Sequence, residues 1–305
     1  MSRVIFDVRS PKEYLQGRIP GAVSLPLFSD EERALFGTAY KKEGQQVAIR
    51  LGIKIVGPKL DTLLTNALAH VKEGATLYCW RGGMRSGFMR QFLELAGIPC
   101  TQYQGGYKAF RRQVLATFEK PYKLKLIGGL TGSGKTELLH RMQGEQIIDL
   151  EALACHSGSV FGGLHGREMP TPEQFENELA TKLNALDPTR VIWVEDESRL
   201  IGRCQIPGPF YEAMKQAPLY LVQTTKEARV ARIMQQYGKF SREPLNEAVT
   251  KLAKRLGGEV TKKILASGSY EDAIRMLLDY YDKTYEYALA KHMGPILQYP
   301  QCARP

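Results

Sequence analysis

Three things are scarce in this sequence of 305 residues, and each scarcity removes a class of protein. Cysteine is the first. Cys79, Cys100, Cys155, Cys204 and Cys302 are odd in number, widely scattered and without paired metal-ligand spacing. That argues against a disulfide framework and against a metal site built on cysteine, and it points to free thiols in a reducing compartment. Long apolar runs are the second. No stretch approaches the roughly 20 residues a membrane helix needs. Met1-Ser2-Arg3-Val4-Ile5-Phe6-Asp7 opens on a strand pattern and lacks signal-peptide architecture. A cytoplasmic protein with no membrane partner is expected. Acidic residues are the third: 32 Asp and Glu face 42 Lys and Arg, for a net charge of +10 and a pI near 9.3. A basic surplus of this size draws polyanions by long-range attraction and counterion release. What remains, 43% apolar and 24% charged, is an ordinary soluble composition with length enough for two domains.

The most informative stretch runs from Leu124 to Asp149. Leu124, Leu126 and Ile127 read as a buried strand, and Glu137-Leu138-Leu139-His140-Arg141 reads as a helix. Between them stand Gly128 and then Gly129-Leu130-Thr131-Gly132-Ser133-Gly134-Lys135-Thr136, the spacing of a phosphate-binding loop in the strand-to-helix context such a loop requires. Glycines let successive N–H groups converge on an anion, and the helix start adds its positive dipole end. Lys135 would reach terminal phosphate oxygens, and the Thr136 hydroxyl would stand where a Mg²⁺ ligand belongs. No Asn-Lys-x-Asp element follows, so guanine specificity has no support.

Residues 1–115 read as one α/β unit, 116–122 as a linker, 123–294 as a second domain and 295–305 as an irregular tail. In the first unit, Ala75-Thr76-Leu77-Tyr78 is a strand that delivers Cys79. Trp80-Arg81-Gly82-Gly83-Met84-Arg85-Ser86 follows, and then a helix carrying Phe88, Phe92, Leu93 and Leu95. A cysteine leaving a strand end into a glycine-bearing loop and a helix start meets a nest of N–H groups. Such sites lower a thiol pKa from about 8.5 to about 3.5–7.5. Arg81 and Arg85 would neutralise the thiolate or a bound oxyanion. The competing reading is a buried structural thiol, the commonest fate of a free cysteine. Lys59 to His70, with Leu60, Leu63, Leu64, Ala67 and Leu68 at helical spacing, reads as core.

This region resembles a rhodanese domain. The resemblance is carried by Phe6-Asp7-Val8-Arg9-Ser10, Glu13-Tyr14, Gly17-Arg18-Ile19-Pro20-Gly21-Ala22, the Cys79 loop, and Gly97-Ile98 before Tyr103, Gly105, Gly106 and Tyr107. Two departures stand out. The loop from Cys79 to Arg85 is one residue longer than in sulfur-transferring rhodaneses, which suits a bulkier anion and is also the spacing of cysteine-dependent phosphatases. The elements that usually precede the first strand are short or missing.

In the second domain, Gln146-Ile147-Ile148-Asp149-Leu150 reads as a strand ending in an acid, and Val191-Ile192-Trp193-Val194 runs into Glu195-Asp196-Glu197. Asp149, Glu195 and Asp196 are candidates for an acid beside Mg²⁺. Leu219 to Val222 adds a strand, consistent with a parallel sheet. His156 to Gly163 forms a glycine-rich loop able to close over a ligand, and Thr171-Pro172-Glu173 caps a helix. From Arg229 to Lys263 positive charge is dense and interleaved with Tyr237 and Phe240. Stacking against unpaired bases and an ordinary solvated helix pair explain this equally well. Tyr270 to Lys291 is an amphipathic helix with Ile274, Leu277, Leu278, Tyr281 and Tyr285 on its buried side.

The whole chain resembles the bacterial tRNA 2-selenouridine synthase family. The residues that carry this are Cys79 to Ser86, Gly105-Gly106-Tyr107-Lys108, Gly128 to Thr136, and Glu195-Asp196-Glu197-Ser198-Arg199 with Ile201-Gly202. The resemblance implies a rhodanese-like domain followed by a P-loop NTPase-like parallel-sheet domain. It also implies a transferase that replaces the sulfur of wobble 2-thiouridine by selenium, using selenophosphate, through an S-geranyl intermediate made from geranyl diphosphate. Cys79 is then the catalytic residue and its loop the selenophosphate cradle. The phosphate loop would hold the diphosphate. No tightly bound cofactor is implied, and Mg²⁺ is a candidate at the phosphate loop. A selenophosphate synthetase would be the supplier, and tRNA would meet Lys108, Arg111, Arg112, Arg199, Arg203, Arg232, Lys239, Arg242, Lys254 and Arg255. Apolar residues around Phe161, Leu164 and Phe210 are candidates for a prenyl pocket. Three other readings share these motifs: a cysteine-dependent phosphatase, an ATP-dependent tRNA sulfurtransferase or kinase, and a non-catalytic tRNA-binding protein.

Overall fold

The computed structural model describes residues 3–156, 168–237 and 242–300. The chain separates into two compact units, Met1–Thr117 and Phe118–Pro305.

In the first unit β1 (Val4–Asp7) leads into α1 (Pro11–Gln16), where the Glu13 carboxylate reaches back 3.0 Å to accept from the Ser10 N–H. Then come β2 (Val23–Ser24), α2 (Asp30–Lys42), α3 (Gln45–Val56), α4 (Leu60–Leu68), β3 (Ala75–Tyr78), α5 (Met84–Leu95), β4 (Cys100–Gln102) and α6 (Gly106–Thr117). The strands pair in the order β2-β1-β3-β4, all parallel. A parallel sheet is covered on both faces, and its central strands β1 and β3 are accordingly mostly apolar, while the edge strands β2 and β4 carry Ser24, Thr101 and Gln102. Phe6, Val8, Leu25, Leu63, Leu77, Met89 and Leu93 form the core. Leu68 and Leu95, expected in apolar stripes, stand outside this core; both are exposed at the helix ends. Successive strands lie on opposite sides of β1, so the carboxyl ends of β1 and β3 flank a switch point, the usual place for a ligand in an open α/β sheet. Cys79 leaves β3 there.

Beneath that point lies a buried ion pair. Arg9 donates from Nε and Nη2 to Asp7 at 2.6–3.1 Å, and Tyr78 donates to the same carboxylate at 2.7 Å. The guanidinium also stacks 3.7 Å from the Tyr107 ring centroid. Both charges are sealed from water, with Arg9 1% exposed and Asp7 0%. Removing one partner of such a pair strands the other charge. Arg9→Ala is therefore expected to lower stability by about 3–5 kcal/mol, read from urea denaturation of the full chain; a loss below about 1 kcal/mol would contradict this reading.

In the second unit β5 (Leu124–Gly128) feeds the phosphate loop and α7 (Lys135–Arg141). There follow β6 (Gln146–Ile148), α8 (Leu150–Ala154), α9 (Pro172–Asn184), β7 (Ile192–Glu195), a small antiparallel hairpin of β8 (Leu200–Ile201) and β9 (Cys204–Gln205), α10 (Gly208–Gln216) and β10 (Leu219–Leu221). Four helices, α11 (Lys226–Tyr237), α12 (Arg242–Lys251), α13 (Ala253–Leu256) and α14 (Gly258–Ala266), precede the long α15 (Tyr270–Leu289). They share a core of Val230, Ile233, Leu245, Val249, Ile274, Leu277 and Leu278. The sheet order is β11-β10-β5-β7-β6, all parallel. Strand β11 (Ile296–Gln298) corrects the expectation of an irregular tail from residue 295, because it pairs with β10 as the edge strand. No described helix is long and apolar enough to cross a membrane.

Candidate functional site

The first unit presents a cysteine loop. Cys79 is 4% exposed. Its Sγ lies 3.3 Å from the Ser86 hydroxyl at the start of α5. Burial by itself raises the thiol pKa. The Ser86 hydroxyl and N–H, the Arg85 charge and the Gly83 N–H together outweigh it and hold the thiol below its usual value. Two further contacts fix the loop from outside. The Cys79 and Trp80 carbonyls accept from Tyr107 and Lys108 N–H, each at 2.9 Å. Gln102 on β4 donates to Ser86 Oγ at 2.8 Å and to the Gly82 carbonyl at 3.2 Å. Gly106 (φ +60°) has to be glycine, because a Cβ there would land on the Cys79 carbonyl. Trp80 is half-exposed with its ring centroid 5.8 Å from that of Tyr107, and Met84 and Arg81 face solvent. Arg85 turns to Glu13, 2.8 Å away, and this pairing holds the Glu13 carboxyl below the usual range against the effect of burial. The sequence expectation of two arginines over the cradle thus meets one arginine tied to α1 and one in solvent.

In the second unit Lys135 folds back 3.0 Å onto the Gly129 carbonyl. Arg232, expected among the tRNA contacts, instead sits on the phosphate loop, donating 2.8 Å to the Gly132 carbonyl with its guanidinium packed over Gly134. Arg229 is buried, bound to both oxygens of Asp282 at 2.7 and 2.8 Å and to the Thr131 carbonyl at 3.3 Å. From α15, Tyr285 accepts from the Gly129 N–H and donates to Asp196, both at 2.9 Å. Ser133 is buried, and Leu130 closes the turn by accepting its N–H.

Carboxylates crowd the Lys135 side. Asp149 caps α8 through the Ala152 N–H at 2.7 Å and lies 2.7 Å from His140. Glu195 is fully buried, with the Thr136 hydroxyl as its nearby side-chain neighbour and neither carboxylate oxygen in a well-formed hydrogen bond. Its burial and the Asp149 charge raise its carboxyl pKa, against the pull of the nearby Thr136 hydroxyl and Lys135. Glu151, which carries no sequence signal, and Glu197, which belongs to the acidic run after β7 but not to the candidate Mg²⁺ acids, join them. Burial pushes Glu151 up to about 9, Glu197 and Glu195 adding to it. Burial likewise pushes Glu197 up to about 7 despite Lys135. Folded protein therefore keeps protons on Glu151 and Glu197 that an unfolded chain, with glutamates near about 4.3, has released. Stability should fall as pH rises between about 5 and 9. Glu151→Gln is expected to raise the Tm at pH 8–9 and flatten that fall; curves parallel to the parent protein would contradict the assignment.

Among the described residues, no three His, Cys, Asp or Glu side chains form a metal cage. Mg²⁺ carried on substrate phosphates needs only one or two protein oxygens, and the Thr136 hydroxyl with the neighbouring buried Glu195 carboxylate fits that need. Beside the loop opens a cavity of about 1360 Å³, lined by Tyr280, Tyr281, Tyr285 and Met214 together with charged groups of both signs, among them Arg232, Lys251, Glu151 and Glu197.

Several expected positions lie elsewhere. Phe210 is 0% exposed and packs edge-on against Tyr122, so it belongs to the core and not to a prenyl pocket. Phe161 and Leu164, and the glycine-rich loop to Gly163, fall outside the described residues, as do Lys239 and Phe240. Arg242 closes the end of α14, donating to the Ile264 carbonyl and Ser267 Oγ, and Arg203 holds the Pro170 carbonyl at 2.9 Å. Arg203 is exposed and Arg242 half-buried. Lys108, Arg112, Arg199, Lys254 and Arg255 are exposed, while Arg111 is half-buried.

A low-pKa thiol in a rhodanese-type loop, followed in the same chain by a phosphate loop beside a tyrosine-walled cavity, defines a two-domain protein of thiol and phosphate chemistry. Residues 1–113 match the model of the rhodanese-like domain, and residues 122–301 match that of the tRNA 2-selenouridine synthase AAA domain. The tRNA 2-selenouridine synthase of Shewanella woodyi is 35% identical, across 96% of this chain and 90% of that one. That of Aeromonas salmonicida is 36% identical, across 93% and 87%. The Nitrosomonas europaea enzyme reaches 41%, across 76% and 63%. The chain belongs to the tRNA 2-selenouridine synthase family.

Proposed function

We propose that this protein converts 2-thiouridine in tRNA to 2-selenouridine, and that its two anion-binding loops divide the work. The observation that carries this is the pairing of a thiol held below its usual pKa with a phosphate loop that opens onto an aromatic cavity. In the first step the base sulfur attacks C1 of geranyl diphosphate; the S–C bond forms, the C–O bond breaks, diphosphate leaves and the base gives up its N3 proton. Lys135 and the loop amides at the start of α7 neutralise that leaving group, as oriented donors do wherever charge develops. Tyr280, Tyr281 and Tyr285 give the chain an apolar wall. Thr136 and Glu195 would hold Mg²⁺, whose charge assists the same oxygens.

The thioether so formed is a better leaving group than a thione. In the second step the selenium of selenophosphate attacks C2 of the base and geranyl thiolate departs; water then cleaves the Se–P bond, phosphate leaves and N3 of the base regains its proton. The Cys79 loop holds the selenophosphate, with the thiolate against it and Arg81 free in solvent to turn inward. Arg85 would exchange Glu13 for the incoming anion. The exposed cations Lys108, Arg112, Arg199, Lys254 and Arg255 serve the RNA backbone. The reaction belongs in the cytoplasm, with a selenophosphate synthetase as the source of selenium.

Nucleoside analysis of tRNA from cells lacking this protein tests the reading. Selenouridine should be lost while 2-thiouridine persists; unchanged selenouridine would refute it.

A further inference from the structure

The direction of one hydroxyl proton decides how well the Cys79 loop holds a thiolate, and the residue that sets it lies outside the loop. Ser86 Oγ has three polar neighbours: Cys79 Sγ at 3.3 Å, the Gly83 carbonyl at 3.3 Å and Gln102 Nε2 at 2.8 Å. A hydroxyl has one proton to give. The Gln102 amide nitrogen can only donate, so it occupies a lone pair of Ser86 and leaves that proton for the thiol or for the carbonyl. The same Nε2 also faces the carbonyls of Gly82 at 3.2 Å and Gly83 at 3.4 Å. This fixes which way the amide lies, because turning it over would set Oε1 against two carbonyl oxygens and a lone pair. It also supplies the Gly83 carbonyl with a competing donor. A charged acceptor outbids a neutral one that is already served.

We propose that Gln102 is the positioning residue of the Cys79 thiolate: its amide, donating to Ser86 Oγ and to the Gly82 and Gly83 carbonyls, turns the Ser86 proton onto Cys79 Sγ. The same grip keeps those carbonyls turned outward, toward β4. This rests on the reading of Cys79 as the reacting thiol, but its test does not depend on tRNA chemistry.

The test is the pH dependence of iodoacetamide alkylation of the full chain, followed on the Cys79 peptide by mass spectrometry. Ser86→Ala should raise the alkylation midpoint by about one pH unit, the usual effect of losing a hydrogen bond to a charged acceptor. Gln102→Leu should raise it comparably. Added to Ser86→Ala, it should move the midpoint no further, because the two residues act in series. Gln102→Glu keeps the shape but accepts the Ser86 proton, so it should raise the midpoint most; it carries the test alone if Gln102→Leu does not fold. An unmoved midpoint in the Gln102 variants, or a full additional rise in the Ser86→Ala background, overturns the proposal. Selenouridine formation in Gln102→Leu should fall at pH below the shifted alkylation midpoint, by up to about tenfold, and recover at higher pH. A shifted thiol with unaltered tRNA chemistry would keep the positioning role and reject Cys79 as the reacting group.

Discussion

Cys79→Ser is expected to abolish selenouridine formation, by about a thousandfold or more, while S-geranyl-2-thiouridine accumulates in the RNA. The substitution is nearly isosteric, so Ser86, Gly83 and the pinned carbonyls of residues 79 and 80 keep their partners. What is lost is ionisation. The loop holds a thiol below its usual pKa by a hydroxyl, two N–H groups and the Arg85 charge, but no such set brings an aliphatic hydroxyl near neutrality. Mass analysis of nucleosides from RNA incubated with geranyl diphosphate and selenophosphate distinguishes the outcomes. Loss of both products would mean that Cys79 also serves the first step or the fold, and retained selenouridine would remove it from the chemistry.

Lys135→Ala is expected to do the reverse: geranylation should fall about a hundred- to a thousandfold, the usual effect of deleting one donor to developing charge. No geranylated intermediate should build up. Lys135 lies on the Gly129 carbonyl, so its removal breaks one hydrogen bond on a half-buried side chain and leaves the loop's glycine turns intact. Arg232 stays in place over Gly134 and would retain some affinity for the diphosphate. The effect should therefore appear chiefly in the rate of geranyl transfer and less in binding. Geranylation unaffected by the substitution would take the diphosphate away from this loop.

How much of this was legible beforehand follows from how local each signal is. The phosphate loop and the Cys79 loop are contiguous runs whose strand and helix flanks can be read beside them, and both elements appear where the pattern puts them. Partners far along the chain are another matter. Arg85 meets Glu13 across 72 residues, and Arg229 meets Asp282 across 53. Nothing in a basic stretch tells a cation that will be buried against a carboxylate from one left in water. Gln102 looks like a polar residue in a weak strand, and its role exists only because β4 lies beside β3. Helix α3 escaped notice because Val47, Ile49 and Ile53 point outward and blur its stripe. Strand β11 was hidden by being three exposed residues whose pairing is decided by β10. Tyr281 and Tyr285 read correctly as the inward side of α15, yet they are half-buried and wall a cavity instead of filling a core.

The account turns on a division of labour between the two loops, and one measurement tests it directly. An anticodon stem-loop RNA already carrying S-geranyl-2-thiouridine is given, with selenophosphate, to the Lys135→Ala protein. If the phosphate loop serves only the prenyl step, selenouridine forms at the rate of the unaltered protein. If no selenouridine appears while the fold is intact, the two loops do not divide the reaction and the central claim is wrong.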